Sequence, residues 1–311
     1  MELISKVLPI LILFAVGYII RITNYLKKEV IDGLKKIVID IALPSVLFIA
    51  FVDLDLKKEY LGLILSIMLL CIIMLINGFV LNKIPKISNP VLPYIMSGFT
   101  FGLIGIPLYI TVFGEVNLPS MAIMGIGQEF FLWLIYISVM KLKLNNEKLN
   151  VSSIINFLAS PLIIALILGI SINLLGISNA LYNQPILRGI YITLQYFSKI
   201  ATPLILIVVG YGLSFDKEYT KLTIIYVALR YVFMLLVGYI IKQLIINRFI
   251  TFDSYLEHAY FTLLILPPPF SLSIFVEKFG QEENSKLVNN ITVVSTCVCI
   301  VVYIIYVFFA L

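Results

Sequence analysis

Histidine and tryptophan each occur once in this 311-residue chain, cysteine three times, and only 13% of the residues are charged. Each scarcity removes a class of chemistry. A single imidazole, His258, cannot build a histidine-rich metal centre, and no HExxH run or GxSxG elbow is present, so neither metal nor nucleophile catalysis is expected. His258 follows Glu257 at the start of an apolar segment, which suits an interfacial residue better than a pH sensor. Cys71, Cys297 and Cys299 all lie inside apolar runs, without disulfide framework or metal-ligand spacing, and read as inert buried thiols. A net charge of +5 is ordinary for a protein with cationic loops and does not point to nucleic acid. No cofactor is expected, and the chain does not read as an enzyme.

Long polar stretches are missing too. With 61% hydrophobic residues and a mean hydropathy of +1.08, the chain is far too apolar for a soluble domain and reads as an integral membrane protein. Its apolar runs are about twenty residues long, which fits helices and not the short alternating strands of an outer-membrane barrel. Ten spans are expected, at 4–22, 37–52, 61–82, 93–113, 118–140, 154–176, 187–213, 223–246, 257–279 and 289–311. The first run lacks a basic n-region and a small-residue cleavage site, so it reads as a retained span. Trp133 and the tyrosines fit membrane anchoring and packing. The connections, such as ITNYLKKEVIDGLKK and KLKLNNEKLN, are short and polar, so the chemistry belongs in the membrane.

Cations set the orientation. With the N-terminus outside, the first inner loop holds Arg21, Lys27, Lys28, Lys35 and Lys36, and every other inner loop holds further lysines. The outer side has Lys6, Lys57, Lys58, Arg188, Lys242 and Arg248. The positive-inside rule therefore puts both termini outside.

The most informative stretch is LLILPPPFSLSIFVEKF, Leu263 to Phe279, with Pro267, Pro268 and Pro269 in its middle. Each proline lacks an N–H, so the carbonyls of Leu263, Leu264 and Ile265 lose their helical partners. His258 to Leu266 and Phe270 to Gly280 are then two half-helices of roughly 13 and 16 Å, together about one hydrocarbon core. Backbone released in this way cannot face lipid, which puts a polar site near mid-membrane.

An internal repeat accompanies the break. Ile41, Ala42 and Pro44 recur as Ile200, Ala201 and Pro203, and Lys58, Glu59 and Tyr60 recur as Lys217, Glu218 and Tyr219, all at an offset of 159. Five spans separate the copies, so the second must be inverted. The expected fold is all-α: ten transmembrane helices in two inverted five-helix repeats, residues 1–143 and 153–311, joined by a cytoplasmic linker at 144–152. The repeat pairs span 9 with span 4, PYIMSGFTFGLIGIPLYITVFG, where Pro107 frees the Leu103 carbonyl and Gly98, Gly102 and Gly105 weaken the helix before it. Spans 4 and 9 are thus expected to be broken and to cross.

AVGYIIR in span 1, IALPSVLF in span 2, GLIGIPLYITVFG in span 4, SPLIIALILGI in span 6, ATPLILIVVGYGLS in span 7 and ILPPPFSLSIFVEKFG in span 9 follow one another in this order. On these motifs the chain resembles, over essentially its whole length, the auxin efflux carrier family, which includes bacterial organic-acid carriers and plant PIN-type auxin transporters. The resemblance implies a fold related to bile-acid and sodium/proton carriers. Spans 1, 2, 6 and 7 would form a scaffold that dimerises, and spans 3–5 and 8–10 a transport domain containing the crossover. In the family an asparagine usually stands seven residues before the span 4 proline; here Thr100, then Phe101, takes its place, so the hydroxyl keeps hydrogen-bonding capacity but the two-headed amide is lost. Thr100, Phe101, Gly102, Gly105 and Pro107, with Pro267, Pro268, Pro269, Ser271 and Ser273 from span 9, are the expected substrate site. Short loops, without the large insertion between spans 5 and 6 of many plant relatives, point to a bacterial cell membrane.

Ionisable residues inside spans are functional candidates. Gln128 and Glu129 lie in span 5, where related ion-coupled carriers hold acidic ligands, and Arg230 lies in span 8, where related antiporters can carry a cation that pairs with that acid. Glu129 and Arg230 are expected to approach each other, either as a titrating site or as a static ion pair. Asp40 and Lys199, each four residues before its repeat proline, form a second expected scaffold pair; the alternatives are two separate charges lining a cavity or a lysine snorkelling to the interface.

These features read as a secondary transporter of a small organic anion, a carboxylate such as malate, malonate or an auxin-like acid, working by alternating access in the lipid bilayer, with a proton or sodium ion as possible coupling partner. The rival is a sodium/proton antiporter or sodium-coupled symporter on the same fold, against which the absence of paired aspartates in span 5 counts. A cysteine introduced at Asn24 is expected to react with an impermeant thiol reagent from the inside and one at Asn117 from the outside. Labelling of residue 24 from the outside overturns this orientation.

Overall fold

The computed structural model describes residues 2–52, 54, 57–144, 159–213, 220–248, 250–278 and 282–310, and among them every regular element is helical. Nearly all of the expected linker at 144–152 and the repeat residues Lys217, Glu218 and Tyr219 lie outside the described residues. Six helical stretches are long and apolar enough to cross a membrane, and Leu8–Ile22 and Pro161–Leu174 are shorter apolar helices. The chain divides into two compact units: Met1–Lys57, Gly102–Ala122 and Ile155–Leu213 make unit 1, and Lys58–Phe101, Ile123–Ile154 and Ser214–Leu311 make unit 2.

Unit 1 is built on two helix pairs. Helix α1 (Glu2–Ile22) packs along α11 (Pro185–Gly212), and α3 (Leu43–Val52) packs along α9 (Pro161–Leu174). Small residues let the backbones touch. A methyl group added to Gly17 would lie 2.1 Å from the Ile207 carbonyl oxygen, and one on Gly210 would lie 2.3 Å from that of Phe14. Between α3 and α9, Phe48, Val52 and Ala165 bury one another with Leu181 of the short helix α10 (Ser178–Asn183). The Asn173 side-chain amide donates to the carbonyls of Phe51, Val52 and Leu54, so α9 supplies the cap for the end of α3.

Pro44 cannot offer an N–H to the carbonyl four residues back, and the turn just before it, Val38–Ala42, is π-helical. Ahead of that turn stands α2 (Lys28–Ile37), in a stretch expected to be a polar connection. Apolar Ile31, Leu34 and Val38 at helical spacing explain the difference: they give one face of an amphipathic helix, and α2 packs against α11 with Ile31 buried. Partial burial of Lys35 on this helix lowers its pKa, and the Asp32 carboxylate opposes that shift.

Unit 2 holds α4 (Glu59–Leu81), α5 (Leu92–Met96), α8 (Ile137–Leu144), α12 (Thr220–Leu244), α13 (Ser254–Leu264), α14 (Ser271–Lys278) and α15 (Glu282–Ala310). Helix α7 (Leu118–Phe130) begins in unit 1, ends in unit 2 and runs through a π-helical turn, Phe131–Tyr136, into α8. Here too, contacts are close where side chains are small. Methyls on Gly78 and Gly127 would stand 2.5 Å from Pro93 Cα and 2.3 Å from the Ile64 carbonyl oxygen. Tyr94 and Tyr136 meet edge to face at 5.5 Å, and the Tyr136 hydroxyl donates to the Tyr94 carbonyl.

Gly17→Leu and Gly210→Leu are each expected to lower stability by about 1–3 kcal/mol, because the α1–α11 backbones must be forced apart. Gly33→Ala, on α2 with nothing within 4 Å, is expected to be neutral or slightly stabilising. Thermal unfolding of the purified variants in detergent measures all three.

Candidate functional site

The breaks of two interrupted helices meet in unit 2. In span 9, α13 ends at Leu264 and α14 starts at Ser271, with the three prolines between them. The first half is longer than expected because Asp253 caps it, its Oδ1 accepting from the Leu256 N–H at 2.7 Å.

In span 4 the break comes earlier than its proline. Helix α5 stops at Met96, residues 97–100 are non-helical, and helix resumes as the π-helical turn Phe101–Gly105, followed by α6 (Ile106–Phe113). The break expected at Pro107 is therefore corrected to Ser97 to Thr100. Pro107 sits in the first turn of α6, where its missing N–H is tolerated. Gly98 makes the break, with a φ of +70° that side chains disfavour; a methyl there would also stand 3.0 Å from Pro269 Cγ.

The released backbone groups find partners within the protein. Thr100 donates its N–H to the Pro267 carbonyl at 2.9 Å and its hydroxyl to that of Pro268 at 2.5 Å, so the two breaks bond directly to each other. The Gln128 side chain spans Phe99 as a neighbouring strand would: its Oε1 accepts from the Phe99 N–H at 3.1 Å and its Nε2 donates to the Phe99 carbonyl at 3.0 Å. Arg230, only 1% exposed on α12, donates from Nη1 to the Ile95 carbonyl at 2.6 Å and from Nη2 to those of Gly98 at 2.6 Å and Leu266 at 3.0 Å. Its guanidinium lies 5.6 Å from the Phe99 ring centre. The carbonyls it collects close α5 and α13, the negative ends of two helix dipoles. Tyr231 adds its hydroxyl between the Ile265 and Ser295 carbonyls, at 2.9 and 2.8 Å.

Glu129 and Arg230, expected to approach, form no ion pair among the described residues. The guanidinium is taken up by carbonyls, while Glu129 turns along its own helix to accept from Trp133 Nε1 at 3.1 Å. Asp40, in the π-helical turn, and Lys199, on α11, are both exposed, and no ion pair joins them either. Ser271 opens α14, and Ser273 donates to the Phe270 carbonyl at 3.2 Å. Phe101 is buried with its ring against Gly125. Gly102, Gly105 and Pro107 belong to unit 1, where a methyl on Gly102 would meet Leu43 at 3.2 Å. Sequence reasoning missed Tyr231, whose only signal is its place beside Arg230, and the Phe99 backbone, which carries none.

A family model described as membrane transport protein matches residues 2–307. An uncharacterized transporter of Methanocaldococcus jannaschii is 31% identical over 218 residues, covering 67% of this chain and 68% of that protein.

Gln128→Ala leaves a buried N–H and a buried carbonyl of Phe99 without partners, each worth about 1–3 kcal/mol. Arg230→Met strips three carbonyls and is expected to destabilise more than Gln128→Ala. Equal or reversed losses in thermal unfolding would contradict the hydrogen-bond accounting.

Proposed function

Because the chain belongs to the auxin efflux carrier family of membrane transport proteins, we propose that it is a secondary transporter of a small organic anion, a carboxylate such as malate, malonate or an auxin-like acid, which it moves by alternating access. The family is one of transporters and not of enzymes. The observation that carries the anionic cargo is Arg230, a buried cation at the meeting point of two broken helices whose recorded partners are neutral carbonyls. A site with that field favours negative charge. Thr100, Phe101, Pro267 to Pro269, Ser271 and Ser273 border the breaks and orient the substrate, while Gly102, Gly105 and Pro107 shape the half-helix after the first break.

The fold underlying this reading has ten spans in two inverted repeats. In support, span 1 packs on span 7 within unit 1 and span 6 packs on span 2, the exchange that an inverted repeat requires. Spans 1, 2, 6 and 7 act as scaffold and, where the protein is dimeric, as the dimer face; spans 3–5 and 8–10 act as the transport domain, a grouping that the two units follow except at Gly102–Ala122, the second half of span 4 and the start of span 5, which falls in unit 1. Both termini lie outside a bacterial cell membrane in this reading.

A sodium/proton antiporter or sodium-coupled symporter is the second reading. Glu129, an intramembrane carboxylate that pairs with Trp133 and forms no ion pair among the described residues, favours it. Gln128 is engaged with Phe99, so Glu129 is the better coupling group. Counterflow of labelled malate, malonate and indole-3-acetate in proteoliposomes, with and without pH or sodium gradients, separates the two. Saturable counterflow of one acid is expected; sodium or proton flux without any acid transport would replace the first reading with the second.

A further inference from the structure

Unit 1 contains a cavity of about 360 Å³ that no part of the reading above uses. Its walls are Val46, Ile49 and Ala50 of α3 and Leu118 and Pro119 at the start of α7; Glu115 and Val116 stand beside them in the short 3₁₀ turn Glu115–Asn117. Ser198 of α11, 6% exposed, also lines it. Buried hydroxyls in this protein regularly bond back to a carbonyl one turn earlier, as Ser45, Ser66 and Thr292 do. Ser198 has no hydrogen-bond partner among the described residues, and it lines the cavity. The residue as a whole is nine-tenths buried and its hydroxyl is reached from the cavity, so a ligand seated there can hydrogen-bond to it.

Charge narrows the ligand. Glu115, which is exposed and forms no ion pair among the described residues, is the one acidic side chain among the described lining residues, and none of these is a lysine, arginine or histidine. An anion entering meets a carboxylate with nothing to offset it, whereas an ammonium gains a partner. We propose that this cavity is a binding site for a small amphipathic amine, with its apolar body between α3 and α7, a hydrogen bond to Ser198 and its ammonium at Glu115. The site shares no residue with the anion site at the helix breaks and does not rest on it.

Tryptamine and indole-3-acetate carry the same ring with opposite charges, and so test charge selection at constant apolar bulk. Binding of radiolabelled tryptamine to the full chain in lipid nanodiscs is expected to saturate. Glu115→Gln, on the surface and harmless to folding, is expected to weaken it about fivefold, the scale of an exposed ion pair. Ser198→Ala is expected to weaken it by a similar factor, and Ala50→Phe, which fills the cavity, to abolish it. The thermal midpoint of each variant, compared with wild type, distinguishes loss of the site from loss of the fold. No saturable tryptamine binding, binding unchanged in both Glu115→Gln and Ala50→Phe, or equal displacement by indole-3-acetate would each overturn the proposal.

Discussion

A peptide carbonyl that has lost its helical N–H cannot be left facing lipid, and unit 2 is arranged around this constraint. Three prolines in span 9 and a left-handed glycine in span 4 release backbone groups where water is not expected to satisfy them. The protein answers with one guanidinium, one amide and one hydroxyl. Arg230 serves the carbonyls, Gln128 serves both polar groups of Phe99, and Thr100 ties the first break to the second. The residue types suit the tasks. A guanidinium forks towards carbonyls that diverge, an amide donates and accepts at once, and a threonine beside its own N–H bonds two successive carbonyls.

The glycines solve a related problem. In hydrocarbon, helices gain no hydrophobic advantage from meeting each other, so association relies on close van der Waals contact. Gly17 and Gly210 in unit 1, and Gly78 and Gly127 in unit 2, are where backbone meets backbone or a proline ring. Such contact also fixes the rotation of each helix about its axis, and at Gly127 it so sets which side chains of α7 face the breaks.

The triple-proline break was legible because proline's missing N–H is a covalent fact of the sequence. The break in span 4 was legible only to within a turn. Pro107 drew attention to itself, but a proline in the first turn of a helix disturbs nothing, whereas Gly98 breaks the span through a dihedral that the letter G permits without announcing. Arg230 was visible as a costly charge, yet its partner was misread. A carboxylate has a letter in the sequence and a backbone carbonyl has none, so a search for opposite charges reaches Glu129 and passes over Ile95, Gly98 and Leu266. The helix over Lys28–Ile37 was hidden for another reason: its charges outnumber its apolar face, although Ile31, Leu34 and Val38 keep helical spacing.

The same hydrogen bonds bear on how unit 2 moves. Arg230 reaches from span 8 to both broken spans, Gln128 reaches from span 5 to span 4, and Thr100 joins span 4 to span 9. Sliding any one of these spans past the others would expose buried groups costing about 1–3 kcal/mol each, with several exposed together. The two breaks, Gln128 and Arg230 are therefore fastened together within unit 2, and a conformational change that preserves these bonds must carry them as one group. The broken helices, weakened by their missing ladder bonds, are thus held by side chains of α7 and α12 and by each other.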